Sequence, residues 1–514
     1  MTRRERIAWV LLILAALVMR FWALGAKPPH HDEAIHGHFG EELLRTGEYH
    51  YDPTYHGPLI YYLEAAIFAV AGESEVTIRI YPALAGVLLV ALPLLLRRRI
   101  GPRAAWWCGL LVAISPSFLY FSRFGREDIP AALYTAGALV AFALVRRGGA
   151  RFLPWVGVMA ALHAVTKETI YVTLPLILAA AAAVAVREGV WDALLRTIIW
   201  LRRNSYAVGT AILWFVIITV TAFTVFFTHP KDALFPVRAI SYWYGQHEIQ
   251  RVGGPWYYYL PRLALYEFLP LGAAIAWVTR RRGRLRPLET FCLTWGLAGL
   301  AMYAFLGEKV PWLVVHQVLP FIPLAGMQVA RSFGPHGRWL SRSLVAIGLA
   351  GTLWSAVALS YLYPTITTAD PHAELLVFVQ TTPEENALAR EGLEIAARTG
   401  ADPVAAVHGE ATWPLSWQWV HLKVYWGLPS QGMRPPLVIC DPANQETLEK
   451  QLGGDYRVRH VPLRAWWVEE WRGVTPWEIV RWFLTRRAWS PVGATEIVVF
   501  ERSDVAAAGR ASGE

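Results

Sequence analysis

Apolar residues come in long blocks through the first two-thirds of this chain, punctuated by short polar stretches rich in arginine, histidine or acid. The blocks fall at about 7–24, 77–96, 104–121, 129–145, 152–165, 169–186, 206–227, 257–278, 287–306, 311–330 and 343–363. Most approach the roughly 20 residues with which a helix crosses a bilayer core of about 30 Å. The pattern therefore predicts a polytopic helical membrane protein with about eleven spans, the fifth being the shortest. The first block follows a basic start, as a signal peptide does, but Arg20, Phe21 and Trp22 stand where small residues would mark cleavage. It reads as an uncleaved span with its N-terminus inside.

Arginine sets the orientation. "LRRRIGPR", "RRGGAR", "REGVWDALLRTIIWLRRN", "TRRRGRLR" and "RSFGPHGRWLSR" each separate two apolar blocks, as cytoplasmic loops do under the positive-inside rule. The outside loops are then 25–76, "SRFGRED" from Ser122, "TKE" from Thr166, the aromatic stretch from Thr228 to Trp256, and "GEKVPW" from Gly307. An odd number of spans leaves the chain beyond Pro364 outside the cell membrane.

In that tail the period changes. "LLVFVQ", "PVAAVHG", "PLVICD" and "TEIVVFE" read as buried strands, while "PEENALAREGLEIAARTG" and "ANQETLEKQLGG" have the acidic starts and glycine stops of helices. Alternating strands and helices predict a soluble α/β domain with a mostly parallel sheet. The expected organisation is a membrane domain at 1–364, an extracytoplasmic domain at 365–503 and a disordered tail at 504–514.

Composition narrows the function classes. The chain has 514 residues, 55% of them hydrophobic, and 25 tryptophans, too apolar a make-up for one soluble domain. Its net charge of +9 invites a nucleic-acid reading, but tight arginine clusters between apolar runs fit cytoplasmic loops instead, and no nucleic-acid partner is expected. Cys108 and Cys292 lie inside apolar blocks and Cys440 stands alone, so no disulfide framework or CxxC knuckle is available.

Candidate chemistry concentrates in the first outside loop, "HHDEAIHGHFGEELLRTGEYHYDPTYHGPL" from His30. Ile35, Phe39 and Leu43 recur at helical spacing after an acidic start, and "GPLIYYLEAAIFAVAG" follows as a second short apolar helix. Two such helices lying in the interface present Asp32, Glu33 and His56 at headgroup level. A solvated loop of a transporter would also carry carboxylates, so the loop alone decides nothing.

These motifs carry a resemblance. The Asp-Glu pair opening the loop, "GEYHYDPTYHGPL" closing it, "RIYPALAGVLLVALPLLLRRR", "SPSFLYFSRFGREDIPAALY" and "GEKVPWLVVHQVLPFIPLAG" together resemble the GT-C superfamily of polytopic glycosyltransferases, across about residues 1–365. The protein O-mannosyltransferase and lipid A aminoarabinose transferase branch is the nearest in pattern. More narrowly, "WYGQHEIQRVGGPWYYYLP" and "ATWPLSW" resemble a prokaryotic subgroup whose archaeal members were named as flippase-associated proteins of glycosylation.

The resemblance implies a polyprenyl-phosphate-linked sugar donor and a glycan, lipid or protein acceptor. It makes Asp32 the general base, with Glu33 second, and predicts inversion in a single displacement. Cations that meet the leaving phosphate would be His56, Arg123, Arg126 and Lys309. Lys167, Glu168, His247, Glu248, Arg251, Glu308 and His316 are further substrate-binding candidates. Arg123 and Arg126 could equally pair with Glu127 and Asp128, and Lys167 with Glu168. Histidines 30, 31, 36, 38, 50 and 56 leave a divalent metal open, although no HExxH spacing names one. Two other functions stay open: a lipid-linked sugar flippase or transporter, and a noncatalytic accessory subunit. The crowding of ionisable residues at the outer ends of the spans favours surface chemistry over translocation. The tail lacks phosphate-loop and nucleophile motifs and is expected to cover the cavity mouth and help select the acceptor. Its Trp413, Trp417 and Trp419 suit a sugar face, a membrane interface or the domain's own core.

Overall fold

The computed structural model describes residues 1–249, 254–335 and 337–505. The chain runs α1 (Arg3–Phe21), α2 (His31–Thr46), α3 (Leu59–Ala71), α4 (Thr77–Ala91), α5 (Arg97–Ile100), α6 (Pro102–Ile114), α7 (Pro116–Ser122) and α8 (Asp128–Gly148). It continues through α9 (Leu153–Ala164), α10 (Ile170–Glu188), α11 (Val190–Arg203), α12 (Ser205–Phe223), α13 (Phe235–Ile249), α14 (Tyr259–Tyr266) and α15 (Phe268–Arg281). The last helices of the bundle are α16 (Pro287–Phe305), α17 (Val314–Val318), α18 (Ile322–Ser332) and α19 (Trp339–Val357).

Among the described residues, seven helical runs are long and apolar enough to cross a membrane, and α6 with α7, bent by 60°, makes an eighth. Helices stand at the other three predicted blocks without meeting that length and composition. α1 carries Arg3, Arg4, Glu5 and Arg6 in its first turn. α9 has 12 residues. The eighth block is divided into α14 and α15 at Glu267. The two helices expected in the first loop are present as α2 and α3.

The broken spans share one carboxylate. A bend in a span frees backbone N–H groups that lipid cannot satisfy. Glu267, wholly buried, accepts from the Ser117 backbone at 3.0 Å and from the Ser115 and Ser117 hydroxyls at 2.7 and 2.6 Å. One side chain thus closes the start of α7 from the neighbouring break.

Beyond α19 lie β1 (Gln380–Thr381), α20 (Pro383–Thr399), β2 (Ala405–Val407), α21 (Thr412–Gln418), β3 (Val424–Trp426), β4 (Leu437–Cys440), α22 (Gln445–Leu452), β5 (Tyr456–Trp467), α23 (Pro476–Thr485) and β6 (Val492–Arg502). The sheet order is β1-β5-β6-β4-β2-β3. Only β2 pairs in parallel, with β3 and with β4; the β4–β6, β5–β6 and β1–β5 pairs are antiparallel. The expected mostly parallel sheet is therefore mixed, because the 12-residue β5, whose arginines hide its alternation, pairs along its length with β6. Of "LLVFVQ" only the final Gln380 enters a strand. Leu375, Leu376 and Val377 are instead buried in the same core as the membrane helices, together with Trp467 and Trp482. The apolar run that reads as a strand is an anchor. The 504–514 tail expected to be disordered lies, from residue 506, outside the described residues.

The three tail tryptophans divide. Trp419 is buried in the domain's own core, its indole N–H donating to Ala389 at 2.8 Å. Trp417 stacks on Phe68 and covers Gly37, where a Cβ would come within 2.7 Å of its ring. Trp413 meets His38 and Phe39. α21 therefore docks on the first-loop helices.

The arginine-rich segment read as an inside loop is helical. α11 exposes Trp191, Leu194, Leu195 and Ile198 on one face, with Asp192, Arg196 and Arg203 opposite. Single residues, Gly189 and Asn204, join it to the spans on either side. Such a helix lies in the interface with its apolar face about 5–10 Å into the acyl boundary. In reconstituted bilayers, a spin label at Ile198 is expected to be relaxed by oxygen and one at Arg196 by an aqueous nickel chelate. The reverse pattern would take α11 off the membrane.

Candidate active site

The site begins with the cap of α2. His30 precedes the helix in an extended conformation, and its ring Nδ1 accepts the Asp32 backbone N–H at 3.1 Å. Glu33 reaches back to the His30 N–H at 2.8 Å and completes a capping box. The same carboxylate receives Arg79 from α4 in bidentate fashion, at 2.7 and 2.8 Å, and the Gly125 backbone N–H at 2.7 Å. The remaining Arg79 donors go to the carbonyls of Leu24, Lys27 and Pro28. Glu33 and Arg79 are wholly buried. Burial alone would raise the Glu33 pKa, but Arg79 and Lys27 more than offset it and hold the carboxyl at about 2. Glu33 is thus fully engaged in the fold.

Asp32, one residue earlier, points the other way. Its side chain is 19% exposed, against 0% for Glu33, 0% for Glu127 and 1% for Asp128. It pairs with Arg126 and lies 3.1 Å from His31 Nε2. Arg126 sits 3.9 Å above the Trp312 ring and 3.6 Å from Asp128. From there a chain of charges runs inward: Asp128 to Lys167 at 2.7 Å, Lys167 to Glu127 at 3.8 Å, and Glu127 to His36 at 3.0 Å. His316 lies 3.4 Å from Asp128. His36 Nδ1 donates to the Gly125 carbonyl at 2.9 Å, so a ring facing Glu127 with its other nitrogen is doubly protonated. Burial would lower its pKa; Glu127 outweighs that and raises it from the usual 6.5 to about 9.

Two cations expected at a phosphate are placed otherwise. Arg123 donates to the carbonyls of Met19, Arg20, Trp22 and Ala23, closing the end of α1. Lys309 donates to those of Tyr303, Ala304 and Leu306, closing the end of α16. Orphan carbonyls at a helix end take such donors readily. His56 pairs with Glu168 at 2.8 Å and stacks on Trp243, so Lys167 and Glu168 have separate partners. Glu308 is partly exposed beside Lys309. Arg251 and the side chains of His247 and Glu248 lie outside the described residues. His30, His31 and Asp32 offer ligand atoms within 4.8 Å of one another, enough for a metal ion. In this arrangement His30 Nδ1 already accepts a backbone N–H and Asp32 already pairs with Arg126.

Sequence reasoning missed Lys27 and Arg79. Arg79 did carry a signal, since an arginine at the head of an apolar block is costly unless paired.

The family profile described as dolichyl-phosphate-mannose-protein mannosyltransferase matches residues 55–217. ArnT from Cupriavidus metallidurans, bound to undecaprenyl phosphate, superposes with a TM-score of 0.61 at 17% identity, covering 96% of this chain and 98% of that one. Its apo form gives 0.62 at 17% identity over 97% and 99%. The Archaeoglobus fulgidus oligosaccharyltransferase tethered to an acceptor peptide gives 0.51 at 13% identity over 87% and 70%. No curated protein sequence matches the chain. The chain therefore shares its fold with these polytopic membrane proteins.

Breaking a buried ion pair from one side costs about 3–5 kcal/mol, because the other charge is left unpaired. Arg79→Met is therefore expected to lower the thermal midpoint of the detergent-purified protein sharply, and Arg79→Met with Glu33→Gln to recover part of the loss. Equal midpoints for wild type and Arg79→Met would contradict the clamp.

The raised His36 pKa has a definite sign. Its stabilising contribution is complete below about 6.5 and is lost as pH rises through about 9. Thermal midpoints should fall across that window, and His36→Gln should flatten the fall.

Proposed function

We propose that this protein is an inverting glycosyltransferase of the cell membrane. It moves a sugar from a polyprenyl-phosphate donor to an acceptor hydroxyl on the outer face, with Asp32 as general base. The observation that carries the reading is the division of labour in the Asp-Glu pair: Glu33 is buried and clamped, while Asp32 alone among the four central carboxylates reaches the surface. The undecaprenyl phosphate bound by the C. metallidurans protein of the same fold supports the donor class.

In this reading the acceptor oxygen attacks the anomeric carbon as its proton passes to the Asp32 carboxylate. The bond from that carbon to the phosphate oxygen breaks, and the prenyl phosphate leaves with the electron pair from the opposite face, which inverts the anomeric configuration. Arg126, held between Asp32 and Asp128 over Trp312, is the cation beside the base and meets the growing phosphate charge. The tail, docked on α2 through Trp413 and Trp417, lies outside with the site and bounds the acceptor side.

The test uses right-side-out vesicles, a panel of tritiated sugars on undecaprenyl phosphate, and membrane-impermeant acceptors. Transfer is expected from the outer leaflet. Asp32→Asn should keep donor binding and lower turnover by roughly 10²- to 10⁴-fold, the range of a positioned general base. Arg126→Ala should weaken donor binding by about 1.5–3 kcal/mol, as a lost charge-assisted hydrogen bond does. Normal transfer by Asp32→Asn would place the chemistry elsewhere.

A further inference from the structure

The C-terminal domain reaches the helix cap beside the candidate base through a buried imidazole. His30 is wholly buried, with its ring edge-on to Phe124 and to Trp312 at centroid distances of 5.0 and 6.4 Å. Its Nε2 lies 3.1 Å from the backbone carbonyl of Phe378, in the segment that leads into β1. A carbonyl only accepts, so the proton is on Nε2. In the neutral ring Nδ1 is then an acceptor, and there it receives the backbone N–H of Asp32 at 3.1 Å. Burial, with His31, Lys27 and Arg126 nearby, pushes the His30 pKa well down, which keeps the ring neutral.

Helix caps are usually Ser, Thr, Asp or Asn, whose short side chains bond the helix and reach no further. A histidine has a second nitrogen for a second partner, and here that partner belongs to another domain. The contact is reinforced from both sides. Gln380 donates to the Pro28 carbonyl at 3.1 Å, and Lys27 donates to Gln380 Oε1 at 3.2 Å. Phe378 packs against Trp312, the ring beneath Arg126, with centroids 6.3 Å apart. Residues 378–380 therefore close directly over residues 27–32.

The geometry points to His30 as a positioning residue: the soluble domain, through the Phe378 carbonyl, selects the imidazole tautomer that caps α2 and so sets the backbone from which Asp32 works. The inference rests on Asp32 being the base. It makes the soluble domain part of the reacting centre as well as a boundary for acceptors.

Three full-length variants in the same vesicle assay test it, using the tritiated undecaprenyl-phosphate sugar that the wild type transfers. His30→Phe fills the space but offers neither nitrogen. It is expected to lower kcat by roughly 10²-fold, the effect of a misplacement near 1 Å, with donor KM close to wild type and the modest drop in thermal midpoint that loss of a helix cap brings. His30→Asn keeps a capping acceptor but is too short for Phe378, and should restore most of the turnover. Gln380→Ala loosens the clamp; it should lower kcat in the wild-type background and have little further effect beside His30→Asn.

If His30→Phe turns over like wild type while Asp32→Asn is inactive, the positioning role fails and the base assignment stands. If Asp32→Asn itself is active, both fail. Should His30→Phe not fold, the pairing of Gln380→Ala with His30→Asn decides: effects on kcat that simply add would overturn the link between the domains.

Discussion

The bidentate pair between Glu33 and Arg79 is the constraint on which the rest of the site depends. In a low-dielectric interior neither charge is tolerable alone, so both must find every partner they can hold. Arg79 spends its donors on Glu33 and on the carbonyls of Leu24, Lys27 and Pro28, which fixes the path from α1 to α2. Glu33 adds the N–H groups of His30 and Gly125, which draws in the loop between α7 and α8. Three segments are thereby held around one carboxylate. Since neighbouring residues in the first turn of a helix face different ways, burial of Glu33 turns Asp32 outward to Arg126.

Cations at the ends of the spans face two demands, and the structure separates them. A helix that stops at a membrane boundary leaves carbonyls without donors. Arg123 and Lys309 meet that need at the ends of α1 and α16. Arg126 and Lys167 are held by carboxylates instead and form the charged chain from Asp32 to His36. Glu267 performs the converse task, supplying an acceptor where α7 starts within the bundle.

The soluble domain is joined to the bundle by apolar and polar ties of different kinds. Leu375, Leu376 and Val377 continue the membrane core. Arg486, fully buried, donates to Ser355 at 2.7 Å and lies against the rings of Trp482, Phe483, Tyr266 and Trp354. Tyr266 in turn hydrogen-bonds Glu374, whose carboxyl burial raises to about 7 despite Arg486. Such ties leave the domain little freedom to swing away from α2.

Local properties were legible in the chain itself. Block length predicted about eleven spans; helices stand at all eleven blocks, and among the described residues seven runs satisfy the criteria for crossing, or eight with the bent α6–α7 pair counted as one span. Amphipathic spacing gave α2 and α3, and the acidic opening of the first loop marked the helix start that carries Asp32 and Glu33. These follow from residues a few positions apart, where period and propensity act. What the tertiary structure decided rests on distant partners: Glu33 meets Arg79 across 46 positions, and His30 meets Phe378 across 348. No local pattern tells which acid of a pair will be buried, whether an arginine will close a helix end or face an acid, or that an apolar run will anchor a domain instead of forming a strand. Each of those outcomes depends on which group arrives at the other side of the contact, and only the folded chain brings it there.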